Sequence, residues 1–256
     1  MRKQVLLFVF AVLLIVCLKP CPVSAAVRTE TEFFVELAKN LVLCNEEFVL
    51  YCENDYSPLT IECKKLFEKA MKVDFKNSTN DGEFLSNNLK EISARKIETA
   101  EGMKVEFEAK YVMSYEQVKR LDAGCQRVID QLHLEGLSKR KKIRRICEFV
   151  VYRVSYDDSL TNYSGYDALF HQSAVCQGYS SLVYKLLCKA GIKSHLETGF
   201  IRSSGEYHSW NSVVLKDVKY HLDTCWMDTD YGCNYKYLFM TTKEIKKERT
   251  IEGLVL

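Results

Sequence analysis

Few features of a flexible or strongly charged chain are present in this sequence. Only three of the 256 residues are proline, and no Gly/Ser tract, internal repeat or low-complexity segment occurs, so a long flexible linker or a disordered tail is not expected. The net charge is only +2, which says little about partners, and no nucleic-acid partner is expected. Hydrophobic residues make up 47% of the chain. They suffice for the core of one large domain, or of a small domain followed by a larger one.

Residues 1–25 predict a secretory signal peptide. Arg2 and Lys3 form a basic start, an apolar run extends from Val5 to Leu18, and Val23–Ala25 offers a cleavage site. The apolar run is too short to span a bilayer comfortably. An uncleaved membrane anchor is the alternative. We therefore expect a secreted or cell-surface protein with no stable membrane insertion after cleavage.

The expected export makes disulfide bonds possible among the cysteines. Two of the 11 lie in the first 25 residues, which leaves nine. An odd number in an exported protein indicates a free thiol, for which Cys176 is the candidate. Disulfides are favoured at Cys44, Cys52 and Cys63, although the sequence does not decide their connectivity.

Hydrophobic periodicity predicts the elements that precede residue 138. Helices are predicted over residues 30–43, 60–73 and 115–132, strands over 47–53 and 104–112, and a loop over 76–82. The segment 26–137 matches no family pattern. We interpret it as an N-terminal extension of unknown role that shapes substrate access.

A further helix is predicted to follow the N-cap Ser138 and to run to about Arg153. Six cations lie in its first turns, at positions 139–142, 144 and 145, although cations at a helix N-terminus oppose the helix dipole. One interpretation is a patch for an anionic polymer or a membrane surface. The simpler one is a solvated face balanced by acidic neighbours.

Cys176 opens an amphipathic helix that Gly191 is expected to end. A thiol at a helix N-terminus lies in a positive potential that favours the thiolate. Free amides at the same place can donate to an oxyanion. Gly178 allows the backbone or a substrate to approach closely. A buried structural cysteine is the alternative interpretation.

His208 and Asp223 are predicted to lie on neighbouring strands, residues 208–215 and 219–223, joined by a hairpin at Lys216-Asp217. A two-residue turn places the two side chains diagonally on one face, whereas a four-residue turn places them directly opposite. Carboxylate and imidazole meet in either register. Thiol, imidazole and carboxylate can then act as nucleophile, base and orienting group. Taken alone, His208 would more often be a polar strand residue, and its relation to Asp223 favours the functional interpretation.

These motifs resemble the transglutaminase-like superfamily, especially its secreted bacterial members. The matching segments are Ala174-Val175-Cys176-Gln177-Gly178-Tyr179-Ser180, Ala190-Gly191-Ile192, His208-Ser209-Trp210-Asn211 and Tyr220-His221-Leu222-Asp223-Thr224-Cys225-Trp226. The resemblance covers roughly residues 138–240, within a predicted domain over 138–256. It implies an α+β, papain-related fold in which a Cys-bearing helix packs on an antiparallel sheet that carries His and Asp.

The resemblance also implies roles for single residues. Cys176 attacks an amide carbonyl, His208 shuttles protons and Asp223 orients His208. An aromatic residue near the oxyanion is expected upstream, and Tyr156 is the candidate, with a plain core tyrosine as the alternative. Asn211 is expected to support its strand rather than to replace Asp223.

The function predicted from the sequence is cysteine-dependent acyl transfer from a peptide or protein amide through a thioester. Water as the acceptor makes the protein a protease or amidase, and an amine makes it a cross-linking transglutaminase. Hydrolysis is favoured because water is plentiful and no amine-binding feature is visible. The substrate is a peptide or protein, such as a cell-wall peptide. The alternative is a non-catalytic peptide-binding or scaffold module at the cell surface.

No cofactor and no metal are expected. His221, Cys225 and Cys233 lack a second close pair with zinc-ligand spacing. The segment 228–232 lacks the remaining ligands of a calcium loop and is interpreted as a turn.

Overall fold

A computed structural model describes residues 26–53, 63–73, 80–100 and 102–252. The predicted signal peptide, residues 1–25, lies outside these ranges, as does most of the predicted loop over 76–82. Among the described residues, no helix has both the length and the apolar character needed to cross a membrane.

The N-terminal part combines helices with a three-stranded antiparallel sheet. Its elements are α1 (Glu30–Val42), β1 (Glu47–Glu53), α2 (Cys63–Ala70), α3 (Gly82–Asn88), β2 (Leu89–Thr99) and β3 (Gly102–Tyr111). The strand order is β1-β3-β2. Phe33, Phe48 and Phe107 are fully buried, and the rings of Phe48 and Phe107 stack with centroids 4.8 Å apart. An aromatic core therefore joins α1 to the sheet.

The second part is built around one central helix and a four-stranded antiparallel sheet. Its helices are α4 (Tyr115–Gln131), α5 (Lys139–Arg153), α6 (Cys176–Lys189), α7 (Thr224–Met227) and α8 (Thr242–Glu248). Its strands are β4 (Ser155–Tyr156), β5 (Ser173–Ala174), β6 (Ser194–Phe200), β7 (Tyr207–Leu215), β8 (Val218–Leu222), β9 (Asp228–Thr229), β10 (Gly232–Cys233) and β11 (Leu238–Thr241). The order β11-β8-β7-β6 and the packing of α6 on β6, β7, α4 and α5 confirm the predicted α+β core.

Of the two registers predicted for the β7–β8 hairpin, the structure has the one with a two-residue turn. Lys216 and Asp217 both adopt positive φ angles, 48° and 62°, as the central residues of a tight hairpin turn do. Leu215 pairs with Val218 in the register. Asp223 was predicted to lie on the strand, but β8 ends one residue earlier. Asp223 is instead the N-cap of α7, because its side chain accepts a hydrogen bond from the Trp226 amide.

Charged side chains hold α6 against the N-terminal part. Lys185 has an ammonium group with no exposed surface, 3.0 Å from the Asp122 carboxylate on α4. The same ammonium donates to Asn80 and lies 3.4 Å from the centroid of the Phe84 ring. The neighbouring Tyr184 hydroxyl donates to the carboxylate of Asp81, the N-cap of α3. The helix that begins at the candidate nucleophile is thus fixed along its far half.

Several cations at the start of α5 have intramolecular partners. Arg145 donates to the carbonyl oxygens of residues 132 and 133, at the end of α4. Arg144 pairs with Glu148 at 2.8 Å, and Arg140 lies 3.9 Å from the ring centroid of Phe239. These contacts favour the simpler interpretation of the basic segment over a dedicated binding patch.

The disulfides expected among the early cysteines do not form at Cys44 and Cys52, which are free thiols. Cys52 is buried in the apolar core of the first sheet, and Cys44 accepts a weak hydrogen bond from Asn88. Burial raises the pKa of each thiol to about 11. Both are therefore inert thiols at neutral pH, and the prediction is wrong for these two residues. The Cys63 side chain lies outside the described part.

Candidate active site

Cys176 is the first residue of α6, as the sequence predicts. The preceding Val175 has an extended backbone and offers no side-chain acceptor to the first amides of the helix. These amides and the helix dipole favour negative charge at the helix start. The Gln177 side chain, which comes next, is tied to the backbone oxygen of Asn87 by a 3.0 Å hydrogen bond. The N-terminal part therefore touches the candidate nucleophile's own turn.

Close packing at the helix start requires a glycine at position 178. A Cβ atom there would lie 2.5 Å from the Cβ of Ala174 and 2.8 Å from the carbonyl oxygen of Ser164. Both distances are shorter than van der Waals contact. Because Gly178 has no side chain, the chain at Ser164 and Ala174 can pack closely against the start of α6.

His208 and Asp223 form a buried pair beside Cys176. The His208 Nε2 atom lies 2.8 Å from Asp223 Oδ2, and the imidazole lines the same cleft as the Cys176 thiol. Because Nε2 pairs with Asp223, Nδ1 is the ring nitrogen that is available to exchange a proton with the sulfur. Burial lowers the pKa of His208, but Asp223 and then Cys176 raise it by more, and the resulting pKa is about 9. The imidazolium form is therefore favoured at neutral pH, as a thiolate–imidazolium pair requires.

The Asp223 carboxylate is held by three donors in a fully buried setting. Oδ1 accepts from the Trp226 amide at 3.1 Å, and Oδ2 accepts from both His208 and Arg249. Burial raises the pKa of this carboxyl group, but the opposing effects of His208 and Arg249 are larger, so the pKa is lowered overall. Asp223 is thus an ionised partner that fixes the imidazole.

Arg249 is the residue of this site that sequence reasoning missed. Its side chain has no exposed surface, and its guanidinium lies 4.1 Å from the ring centroid of Trp226 and 5.0 Å from that of Trp210. It directly follows α8, a Lys- and Glu-rich helix. An arginine in that setting has the sequence signature of a surface residue, and no motif marks it.

A cleft of about 810 Å³ opens over Cys176 and His208. Tyr156, the candidate for the oxyanion, lines this cleft. Burial, followed by the neighbouring Cys225 and Cys176, raises the pKa of Tyr156, so its phenol can donate a hydrogen bond. Its part in stabilising an oxyanion stays a prediction. Ser86, in α3, also lines the cleft, which places the N-terminal part at the entrance.

Asn211 lies close to the site without replacing Asp223. Its side-chain amide is fully buried and donates to the backbone oxygen of Ser180 at 3.0 Å. This contact links β7, which carries His208, to α6, which carries Cys176. Asn211 therefore supports the relative position of the two elements.

His221 is engaged on both ring nitrogens. Nδ1 accepts from the Trp210 indole at 3.0 Å, and Nε2 lies 3.2 Å from the Thr242 hydroxyl. Burial lowers the pKa of His221 to about 4, so the ring is neutral and structural. In the described ranges, no group of three or more His, Cys, Asp or Glu side chains is placed to hold a metal ion. Residues 228–232 lie in the β9–β10 hairpin, whose turn is formed by residues 230 and 231; this agrees with the interpretation as a turn.

The segment that holds the site is similar to a known protein family. Residues 126–231 match the model of the transglutaminase-like superfamily, which confirms the family resemblance over this segment. The match includes Cys176, His208 and Asp223 and ends before Arg249. The search of curated proteins found no match.

Three solved structures show similarity at low identity. A candidate cysteine protease from Cytophaga hutchinsonii is 12% identical, with 64% of this chain and 75% of that chain covered and a TM-score of 0.38. A protein described as a TGase is 12% identical, with 84% and 63% covered and a TM-score of 0.44, so the chain spans less than two thirds of that protein. Calcium-bound LapG from Legionella pneumophila is 12% identical, with 54% and 82% covered and a TM-score of 0.39.

Proposed function

We propose that this protein is an exported cysteine enzyme that transfers an acyl group from a peptide or protein amide through a thioester. The observation that carries the proposal is a thiol at an open helix start, in the same cleft as an imidazole whose pKa it helps to raise. The same imidazole is paired with a buried carboxylate. Nucleophile and base thus line one cleft, and the orienting group is buried beside the base.

The first half of the reaction forms the thioester. The Cys176 thiolate attacks the amide carbonyl carbon, so a C–S bond forms and the C=O electron pair moves to oxygen. Amides at the start of α6 face this negative charge and stabilise it. When the electron pair returns, the C–N bond breaks, and the His208 imidazolium gives its proton to the leaving amine.

The second half releases the acyl group. His208, now neutral, takes a proton from water or from an amine as that acceptor attacks the thioester carbonyl. The C–S bond then breaks and Cys176 leaves as the thiolate, so the thiolate–imidazolium pair is restored. Asp223 stays ionised throughout and holds Nε2 of the imidazole. Water yields an acid and makes the reaction hydrolysis, which we favour, whereas an amine yields a new amide.

The cleft lining supports a peptide substrate. Exposed apolar and aromatic side chains surround Cys176; they are Tyr156, Leu160, Tyr163 and Tyr207. The lining residues include two carboxylates, Glu206 and Asp228, and among those described none is Lys or Arg. Such a surface suits an extended peptide with apolar or cationic side chains beside the reacting amide, and it disfavours acidic peptides.

The test is to profile the purified protein against peptide libraries, with and without a primary amine such as dansylcadaverine. Cleavage or side-chain deamidation detected by mass spectrometry indicates hydrolysis, and amine incorporation indicates transfer. Cys176→Ala should abolish either product, whereas Cys188→Ala, on the same helix but outside the cleft lining, should leave it unchanged. Turnover that survives in Cys176→Ala would refute the proposal. Peptide binding without turnover by the wild type would instead favour the non-catalytic module.

A further inference from the structure

Arg249 places a permanent positive charge in the interior next to the candidate triad. Its guanidinium donates to Asp223 Oδ2, the same oxygen that His208 contacts. The Trp226 ring packs beside both cations, 4.1 Å from the guanidinium and 5.3 Å from the imidazole centroid. A fully buried charge is costly unless it is paired. Asp223 therefore offsets the cost of burying the Arg249 charge, and Arg249 offsets the cost of burying the Asp223 charge.

The backbone around Arg249 is fixed to the sheet that carries the imidazole. Arg249 forms an antiparallel bridge with Ile201. The Thr250 amide donates to the Phe200 oxygen at 2.9 Å, and the Glu252 amide donates to the Thr198 oxygen at 2.9 Å. The segment 249–252 thus lies along the β6 edge, so the guanidinium approaches Asp223 from a rigid support.

We propose that Arg249 is a positioning residue of the active site, which acts through Asp223 by keeping its carboxylate ionised and aimed at His208. The proposal rests on the proposed function, because it assigns Arg249 a part in activating Cys176. Arg249 lies outside the segment that matches the family model.

The charges explain why such a residue is needed. Without Arg249, a carboxyl group with 1% exposure would face its burial cost with His208 as its remaining cationic partner, and protonation would become easier. A neutral acid stabilises an imidazolium less than a carboxylate does. The thiolate of Cys176 would then form only at higher pH. With Arg249 in place, Asp223 keeps a charged partner even when His208 is neutral.

The experiment is the rate of Cys176 alkylation by iodoacetamide as a function of pH, resolved by peptide mass spectrometry. In Arg249→Met the acid limb of this profile should move to higher pH by about one unit or more. On that limb, such a shift lowers the labelling rate about tenfold. Arg249→Lys restores the charge and should return the limb close to the wild-type position. If Arg249→Met does not fold, Arg249→Gln removes the charge while keeping an N–H donor, and the same shift is expected.

The matched control is Arg202→Met. Arg202 donates to the Lys246 oxygen in α8, so it supports the same C-terminal region without contacting Asp223, and its profile should match the wild type. A profile of Arg249→Met that superimposes on the wild type would overturn the inference, even if the melting temperature falls. Wild-type Cys176 that titrates like an ordinary thiol would instead refute the proposed function itself, so the two failures are distinguishable.

Discussion

The free energy of unfolding should depend strongly on the carboxylate that faces the buried Lys185. The ammonium has no exposed surface and lies 3.0 Å from Asp122, whose side chain is 22% exposed. At that distance the gross Coulomb attraction is about 5 kcal/mol for an effective dielectric constant near 20. Removing one partner of a buried pair typically costs about 3–5 kcal/mol. Because Asp122 is partly exposed, we expect Asp122→Ala to lose about 3 kcal/mol at pH 7.

A double-mutant cycle separates this effect from loss of packing. Lys185→Met removes the charge and leaves an apolar chain against the Phe84 ring, so it should cost less than about 1 kcal/mol, and so should the double variant. The matched control is Lys119→Ala, since Lys119 and Glu116 are also 3.0 Å apart but 55% and 73% exposed. It should change stability by less than about 1 kcal/mol.

The assay is urea unfolding followed by tryptophan fluorescence at pH 7 and pH 9.5. Burial lowers the pKa of Lys185 and Asp122 partly restores it. The unfolded state therefore binds more protons between the folded-state pKa and about 10.5, and stability rises with pH across that window. Without Asp122 the folded-state pKa falls further, so the deficit of Asp122→Ala should shrink at pH 9.5. Additive single effects, or an equal deficit at both pH values, would refute this reasoning.

Three further predictions concern the site. Cys225 lines the cleft with Cys176, but burial and the negative charges around it raise its pKa well above the ordinary value; site-resolved alkylation at pH 7 should therefore label Cys176 first, and equal labelling would contradict the assigned nucleophile. Gly178→Ala forces a Cβ to within 2.5 Å of the Ala174 Cβ. Thermal unfolding should show that the free energy of unfolding falls by about 1–3 kcal/mol, and alkylation of Cys176 should be slower. Unchanged values would show that the helix start is not tightly packed. The pKa of His208 is raised from 6.5 to about 9, so the contribution of its charged form to stability is fully present below pH 6.5 and lost as the pH rises through 9. The stability difference between the wild type and His208→Gln should therefore shrink from pH 6 to pH 10. A constant difference would argue against the imidazolium.

Much of the architecture could be predicted because long amphipathic elements have a clear periodic pattern of apolar residues. The helices α1, α4, α5 and α6 and the strands β1 and β3 all lie close to their predicted ranges. The short helix α3 spans only seven residues, fewer than a periodic pattern needs. Strand β2 was missed because none of its side chains is fully buried. Charged residues there interrupt the apolar alternation that marks a half-buried strand.

The site shows the same limit. The local settings of Cys176, His208 and Asp223 each indicate chemistry, and the structure brings Asp223 to within 2.8 Å of His208. Arg249 and Lys185 could not be predicted, since their partners lie 26 and 63 residues away in the sequence. An isolated cation in a helical or terminal segment indicates a solvated side chain. Only the three-dimensional contacts show that these two are buried.

The pairing of the segment 249–252 with β6 also sets an order of events during synthesis. The Thr250 hydroxyl accepts from the Phe200 amide across 50 residues of chain, so β6 leaves the ribosome well before the segment that covers its edge. Until then the growing chain has an open strand edge, a template for pairing with other chains. The thiol and imidazole meanwhile lack their buried cation. The charge set beside the thiol and the imidazole is therefore complete only once the segment 249–252 has paired with β6.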